Sequence, residues 1–402
     1  MTTVTEAIKP PPATVGSIGW LRKNLFNTWY NALLTVVLIW LLYVLLRGVL
    51  TWVFVTADWS PVTSNPKLFM LGQYPSDEIW RVGLSVLMVS FLFGLSWGVW
   101  GGTVRTFALV MAVGLGAPAL LPLGLEVLGL EVRLWLLANP ALVTLGYLLA
   151  RTRGGRPRWL MTGWLLSFVL TLILLRGFQG TPRLPFVGTG VWGGLLLTFL
   201  LALVGIVASF PLGVLLALGR RSNLPVVKIF SILYIELVRG VPLVSILFMA
   251  QVILPLFLPE EIRVDRVLRA LLAMTLFSAA YMAENVRGGL QAVPEGQIEA
   301  AKAVGLSNPL VMLLVVLPQA LRAVIPAIVG QFISLFKDTT LVVIVGLNDI
   351  LGIGKSIVLG NVEWIGRQRE VYLFIAAVFW IFTYSMSYAS RRLETALGVG
   401  ER

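Results

Sequence analysis

Long apolar runs separated by short polar connections dominate the hydrophobic pattern of this 402-residue chain. Several of the runs exceed the roughly 20 residues that an α-helix needs to cross a lipid bilayer. Ten runs stand out, near residues 30–55, 82–100, 107–130, 134–150, 159–175, 190–218, 229–258, 267–283, 310–336 and 371–390. The pattern predicts an all-α, polytopic membrane protein with about ten transmembrane helices.

Composition supports this fold class and narrows the chemistry. Charged residues make up only 12% of the chain, whereas about a quarter is usual in soluble proteins. The chain has no Cys and no His, which removes disulfides, thiolate nucleophiles and the commonest metal ligand, so we predict no metal site and no catalytic residue. The net charge of +12 is scattered through short connections, so it indicates membrane topology rather than nucleic-acid binding.

The basic connections predict how the chain crosses the membrane. Residues 1–28 form a polar tail, and the first apolar run is too long for a signal-peptide core of about 7–15 residues, so it is expected to stay as an anchor. With ten crossings, the basic stretches at 151–158, 219–228 and 391–394 all fall on the side of this tail. Positive connections favour the cytoplasm, so both termini are predicted there.

The same pattern divides the chain into a tail, an extension and a core. Residues 29–180 form a predicted membrane extension of about five helices, and an external linker at 177–190 leads to a five-helix core at 190–393. The extension carries no evident cluster of buried charges apart from Arg47, which can snorkel to the interface. Its predicted role is that of a scaffold or partner contact.

The stretch "QIEAAKAVGLSNPLVMLLVVLP" (297–318) predicts two short helices with a sharp bend at the membrane surface. Its first eight residues are good helix formers, and Gly305 can adopt the left-handed C-terminal cap. Ser307 can cap a second helix with Pro309 in its first turn. Pro318 is expected to interrupt that helix before the next membrane segment.

The spacing of this stretch resembles the EAA signature of ABC importer permeases, with Val315 in place of the usual Ile. In that family the two-helix element sits in a groove of a cytoplasmic ATPase and transmits its closure. The resemblance implies a coupling loop at 285–318 whose ATPase-coupling residues are Glu299, Ala300, Ala301, Gly305, Leu317 and Pro318. Ala300 and Ala301 would let the partner approach closely, and Glu299 would offer a negative charge to a basic groove.

Three further stretches, "YIELVRGVPL" (234–243), "AYMAENVRGGLQAV" (280–293) and "FKDTTL" (336–341), are similar to the polar amino acid permease subfamily, which includes histidine, glutamine and arginine uptake systems. The five additional spans look like the elongated subunits of general L-amino acid transporters. This resemblance implies a multi-pass protein of the bacterial inner membrane that carries amino acids and is not itself an enzyme. It also implies ABC ATPase subunits that hold ATP and Mg, a second permease in a heterodimer, an external amino-acid-binding protein and membrane lipid as partners, with no cofactor in this chain.

Several charges lie close to or inside the apolar runs, where an unpaired charge is costly. They are Glu236, Arg239, Glu284, Arg287 and Asp338. They can pair with one another to fix helix packing, the arginines can snorkel to the interface, or the set can line a translocation path. A path would suit a zwitterionic substrate, which needs an acceptor for its ammonium and a donor for its carboxylate.

A broken helix beside these charges favours the path, because broken membrane helices expose backbone groups to substrate. Gly240 and Pro242 are expected to break the helix next to Arg239. The candidate path residues are therefore Glu236, Arg239, Gly240, Pro242, Glu284 and Asp338.

Two other functional classes are weaker. "LGIGKSI" (351–357) contains a Gly-Lys-Ser, but Asp349 occupies the position where a phosphate-binding loop needs its first glycine. An ion-coupled secondary carrier would show inverted repeats and membrane-centred carboxylates, and no such symmetry is visible. A membrane scaffold without transport activity would leave the EAA-like element unexplained.

Overall fold

The computed structural model describes residues 16–120, 130–154, 156–259 and 261–398, so part of the predicted polar tail lies outside it. Regular structure in the described residues is helical, with isolated β-bridges and no strand. The chain divides into two compact units, Met1–Pro61 and Val62–Arg402. In the first unit, helix α1 covers Ser17–Asn24 and the apolar helix α2 covers Trp29–Thr51.

The helices up to residue 180 correspond to the predicted extension. After α2 they are α3 (Ser60–Thr63), α4 (Pro66–Leu71), α5 (Ile79–Trp100), α6 (Gly102–Leu120), α7 (Leu130–Arg153) and α8 (Pro157–Arg176). Glycines let α5 and α7 pack closely, since a Cβ on Gly94 would collide with the Val143 backbone and one on Gly146 with the Phe91 carbonyl. Small residues at helix crossings are typical of membrane bundles, where close packing replaces the hydrophobic effect.

The remaining helices form the region of the predicted core. They are α9 (Gly194–Arg220), α10 (Pro225–Arg239), α11 (Leu243–Phe248), α12 (Leu254–Phe257), α13 (Arg266–Ala292), α14 (Glu295–Ala303), α15 (Asn308–Leu310), α16 (Leu317–Ala323), α17 (Ile325–Asp338), α18 (Ile350–Gly360) and α19 (Gln368–Leu397). Two π-helical turns connect α11 to α12 and α15 to α16. The apolar faces of α9, α13 and α17 contribute to the buried cluster at the centre of this region.

Eight described helices are long and apolar enough to cross a membrane, and a bent pair raises the number to nine. The predicted number was about ten. The run 107–130 yields the described helix α6 only as far as Leu120, because residues 121–129 lie outside the described part of the chain. The run 310–336 is broken at Val324, so only the segment Ile325–Val345 has the length of a span.

Helices α9 and α13 run parallel, which defines two ends of the core. Thr189 donates a hydrogen bond to Asp265 just before both helices begin, and Arg221 Nη1 donates to the Leu290 carbonyl at 3.2 Å where both finish. We call the end with Thr189 and Asp265 the linker end. The end with Arg221 and Leu290 is called the loop end, because the residues that follow α13 form the predicted coupling loop.

Arg81, in the first turn of α5, is completely buried at the linker end, although the apolar pattern did not reveal it. Its Nε donates to Glu78 at 2.8 Å and its Nη1 to the Pro185 carbonyl at 2.9 Å. The Tyr74 hydroxyl donates to the Leu175 carbonyl at 2.8 Å, and burial raises the pKa of Tyr74 to about 12. The expectation that this extension lacks buried charge clusters was wrong, because the buried Arg81 pairs with Glu78 and ties the start of α5 to the linker.

Asp349 is a second buried charge at the linker end. Its Oδ1 accepts from the Gly352 N–H at 2.9 Å and caps α18, while its Oδ2 has no hydrogen-bond partner among the described residues. The neighbouring Asn348 carbonyl accepts from the Gly194 N–H at 2.9 Å, which holds this turn against the start of α9. Burial raises the pKa of Asp349 to about 6, although the Gly352 hydrogen bond opposes the shift.

Replacing Asp349 by Asn is expected to stabilise the protein at about pH 8 and to have little effect at about pH 4.5. The folded pKa exceeds the unfolded value, so the carboxyl favours folding when protonated and loses that advantage as pH rises through about 6. The shift of about two units corresponds to at most about 3 kcal/mol. Thermal unfolding in detergent at the two pH values measures it. Asp349→Ala, which also removes the cap, should have a lower Tm than Asp349→Asn at both pH values, and an unchanged Tm for Asp349→Asn at the higher pH contradicts the prediction.

Candidate coupling loop and polar path

The turn after α14 is a Schellman motif built around Gly305. Gly305 has a φ of +86°, its N–H donates to the Lys302 carbonyl at 2.9 Å, and the Leu306 N–H donates to the Ala301 carbonyl at 3.2 Å. These two bonds satisfy carbonyls that the helix end leaves unpaired. A side chain at Gly305 would meet no other atom within 4 Å, so the glycine is required by its backbone conformation and not by crowding. The predicted left-handed cap is confirmed.

The second helix begins as predicted but does not end there. Ser307 occupies the N-cap position and Pro309 lies in the first turn of α15, but the Ser307 side chain makes no capping hydrogen bond. The helix then widens into a π-helical turn, Val311–Val316, and continues as α16 through Pro318 to Ala323. The prediction that Pro318 interrupts the helix was wrong. A π-helical turn immediately precedes the proline, and such a turn accommodates a residue that has no N–H to donate.

The EAA-like residues divide between an exposed and a buried face. Glu299, Ala300, Gly305 and Pro318 are exposed, and Leu317 is half-buried. Ala301 is only 6% exposed and packs into the apolar cluster at the loop end. The expectation that both alanines face a partner was therefore wrong for Ala301, since its small side chain lets α14 lie close to the bundle.

That apolar cluster joins the loop to the membrane helices. It contains Ile235 of α10, Val286 and Leu290 of α13, and Ala301 and Val316 of the loop. Each of these side chains is less than a tenth exposed. A displacement of α14 would be transmitted to α10 and α13, because closely packed interiors have low compressibility.

The charges near the loop end form one ion-pair network across three helices. Glu284 of α13 lies at its centre and contacts Arg220 at 3.1 Å, Arg239 at 3.4 Å and Arg287 at 2.9 Å. Arg220 also contacts Glu236 at 2.8 Å. The side chain of Glu284 is 16% exposed, whereas that of Glu236 is 54% exposed. The structure thus brings together three of the predicted path residues. Arg239 contacts Glu284 directly, and Arg220 joins Glu284 to Glu236.

Arg220 was not a candidate from the sequence. It is the last residue of α9, and in the sequence it belongs to the basic connection at 219–228 that predicted topology. A cation at the end of an apolar run, close in sequence to an acidic residue inside the next run, is the signal that could have found it. Its two carboxylate partners lie on different helices, so the pairing depends on tertiary structure.

The predicted break beside Arg239 is confirmed. The segments Pro225–Arg239 and Leu243–Phe257 meet at an angle of 105°. Gly240 and Pro242 lie between them, and Pro242 takes the N-cap position of α11.

Asp338 is not part of the network. It is the half-buried last residue of α17, and its side chain makes no hydrogen bond or ion pair with the described residues. An unpaired carboxylate in an apolar span is costly, so such a residue is a candidate ligand for a cationic group.

Comparison with known proteins places this architecture in a family. Residues 209–399 match the family described as binding-protein-dependent transport system inner membrane component. The inner membrane amino-acid ABC transporter permease protein YhdY of Escherichia coli strain K12 is 38% identical, over 100% of this chain and 99% of its own length. The chain belongs to this family of ABC transporter permeases.

Two more proteins are similar to this chain, one over nearly its whole length and the other over half of it. The glutamate/glutamine/aspartate/asparagine transport system permease protein BztC of Rhodobacter capsulatus is 36% identical, over 98% of this chain and 97% of its own. A crystal structure of an amino acid ABC transporter with histidines is 29% identical, covers 50% of this chain and 92% of its own, and has a TM-score of 0.46. Members of the family are multi-pass membrane components that act with an ATPase and a binding protein.

Proposed function

We propose that this chain is the membrane-spanning permease subunit of an ATP-driven importer of polar or general L-amino acids. The observation that carries the proposal is the exposed two-helix loop with its Gly305 turn, on a chain that belongs to the ABC permease family. In this proposal the loop docks on a separate ATPase, which holds ATP and Mg, and this chain catalyses no reaction. An external binding protein delivers the amino acid at the linker end.

The assembly we propose contains a second, different permease subunit in the bacterial inner membrane. Full-length similarity to relatives named as permeases of amino-acid transport systems supports the substrate class. Both termini and the loop end would face the cytoplasm, because the basic connections at 151–158 and 219–228 favour that side.

Reconstitution tests this function directly. Proteoliposomes that contain this chain and its co-purifying partners are expected to take up a radiolabelled amino acid from the external solution. This uptake should require ATP and the binding protein. Uptake that follows a proton or sodium gradient without ATP would instead support the alternative, an ion-coupled secondary carrier. Vanadate, added to block the ATPase, separates the two readily.

A single cysteine at Ser307 is expected to react with an impermeant thiol reagent only after the membrane is opened. Ser307 is exposed in the loop and the chain has no native Cys, so labelling reports on this site alone. A cysteine at Gln179, which is exposed at the linker end, is the matched control and should react in intact cells. Labelling of Ser307→Cys in intact cells would show that the loop faces the outside. The loop could then not dock on a cytoplasmic ATPase.

We propose that the amino acid passes Asp338 first and then the ion-pair network on its way from the linker end to the loop end. Asp338 supplies an unpaired carboxylate for the ammonium group, and the arginines of the network, in excess over its two carboxylates, supply a donor for the substrate carboxylate. The helix break at Gly240 and Pro242 adjoins Arg239 and exposes backbone groups at the same place.

Asp338→Asn is expected to lower uptake about tenfold or more while the protein still inserts and folds, because a charge-assisted hydrogen bond to the substrate ammonium is lost. Uptake kinetics and the size-exclusion profile measure the two effects. Glu363→Gln, at an exposed carboxylate of the linker end, is the control and should transport normally. Normal uptake and unchanged substrate ranking in Asp338→Asn would show that this carboxylate has no role in the path.

A further inference from the structure

A cavity of about 520 Å³ opens at the linker end, beside the start of α13. Its wall combines five apolar residues between Pro255 and Val264 with two arginines, Arg263 and Arg269. The volume lies within the range of pockets that hold small molecules, roughly 300–1,000 Å³. No residue of this cavity belongs to the ion-pair network or to the coupling loop.

Arg269 is held in place with part of its hydrogen-bonding capacity unused. Its Nη1 donates to the Gln251 carbonyl at 2.6 Å, which fixes the position of the guanidinium. Its Nε is buried and has no hydrogen-bond partner among the described residues. By contrast, Arg266, one turn earlier on the helix, donates to the carbonyls of Val345 and Gly346 and so has a structural role. Because the Nε has almost no accessible surface, a ligand cannot reach it. The Nη2 forms no hydrogen bond with the described residues and is available to an acceptor in the cavity.

Neither arginine of the cavity forms an ion pair with the described residues, although the exposed Glu261 lies in the same loop as Arg263. Arg263 is exposed and forms no ion pair with any described residue. The nearby carboxylate of Asp265 is already engaged, since it caps α13 through the Val267 and Leu268 N–H groups and accepts from Thr189. Two guanidinium groups in one cavity therefore favour an anion, and a guanidinium matches a carboxylate in a bidentate arrangement.

The apolar wall and the location select the kind of anion. Leu258 and Ile262 offer a surface for an aliphatic group. The expected ligand therefore has a carboxylate attached to a short aliphatic chain. Arg269 lies 15 residues before Glu284 on the same helix, which is about 22 Å at 1.5 Å per residue. The cavity is thus a separate site, near the end at which the amino acid is proposed to arrive.

We propose that the Arg263–Arg269 cavity binds the carboxylate of a free amino acid as a receiving site ahead of the polar path. This inference rests on the proposed function for its substrate class. Arg269 makes the principal contact through its Nη2, and Arg263 adds charge at the mouth. The aliphatic part of the amino acid packs on the apolar wall.

Binding of radiolabelled L-glutamate and L-glutamine to the full chain in phosphatidylcholine nanodiscs tests the site. We expect saturable binding that weakens about tenfold or more in Arg269→Gln and less in Arg269→Lys, which keeps the charge but lacks the guanidinium fork. Arg183→Gln removes the same charge from an exposed position of the linker and should bind as the wild type does. Glutamine α-amide, which lacks the carboxylate, should fail to compete. A size-exclusion profile shows that each variant is folded.

Unchanged binding in a folded Arg269→Gln protein, or equal loss in Arg183→Gln, overturns the inference. A second result also overturns it: glutamate binding that disappears in phosphatidylglycerol nanodiscs and that glycerol 3-phosphate displaces more strongly than glutamine does. The cavity would then hold a lipid headgroup. The proposed function is tested separately by ATP-dependent uptake. Such uptake without binding at Arg269 leaves the permease function intact and removes only the receiving site.

Discussion

Gly305→Val is expected to abolish most uptake and to reduce co-purification of the ATPase by about tenfold or more. A β-branched residue at a φ of +86° is strongly disfavoured, with strain of about 1–3 kcal/mol, so the Schellman turn would open and the two short helices would change their relative angle. Membrane insertion should be unaffected, because the loop follows the end of the membrane-spanning helix α13. Pull-down of the ATPase and ATP-driven uptake measure the effect.

Two variants separate the backbone requirement from other causes. Gly305→Asn should retain most of the activity, because Asn tolerates the left-handed conformation better than other side chains do. Gly296→Val is the matched control: it lies in the same loop, in helix α14, has an ordinary φ, and would also meet no atom within 4 Å. Glu299→Ala should be milder than Gly305→Val, since an exposed ion pair contributes no more than about 1 kcal/mol. A Gly305→Val protein that binds the ATPase and transports normally would contradict the docking proposal.

Glu284→Gln is expected to be the most damaging change in the polar network, lowering both stability and uptake. It leaves Arg220, Arg239 and Arg287 without their shared, partly buried carboxylate. Removing one partner of a fully buried ion pair typically costs about 3–5 kcal/mol, and a smaller loss is expected here because the three arginines are 25–35% exposed and Arg220 keeps Glu236. Thermal unfolding in detergent and uptake by proteoliposomes give the two readouts.

Glu236→Gln is the matched comparison for Glu284→Gln. Glu236 has one arginine partner and a side chain that is 54% exposed, so its loss should lower the Tm much less. Adding Arg287→Gln to Glu284→Gln removes one uncompensated cation and should restore part of the lost stability, which a double-mutant cycle quantifies. Equal Tm losses for the two single variants would mean that Glu284 is not the centre of the network.

The network and the coupling loop are connected by geometry that suits ATP-driven transport. Glu284 lies on α13, which leads through two residues into α14. Ile235, next to Glu236, belongs to the same apolar cluster as Ala301 of the loop. Motion of α14 on a closing ATPase would therefore reach α10 and α13 together, and the ion pairs that join these helices are the contacts such a motion would rearrange.

The sequence alone was sufficient for features that depend on local chemistry. Apolar runs set the fold class because a membrane helix must be apolar along its whole length, whatever its neighbours are. The Gly305 turn and the break at Gly240 and Pro242 were likewise predictable, since a left-handed cap favours glycine and a proline close to a glycine favours a helix break. Proline alone does not decide, because the helix continues through Pro318.

Only the tertiary structure decided which side chains meet. The burial of Ala301 depends on how α14 lies against other helices, and Arg220 is paired because α9, α10 and α13 converge there. The hydrogen bond from Arg81 to the Pro185 carbonyl joins residues 104 positions apart in the chain. Mean hydropathy reports how apolar a segment is, and hydrophobic periodicity reports which face is apolar. In a chain that is apolar almost throughout, periodicity does not distinguish the face packed on protein from the other faces. Contacts between distant segments therefore follow only from the packed arrangement.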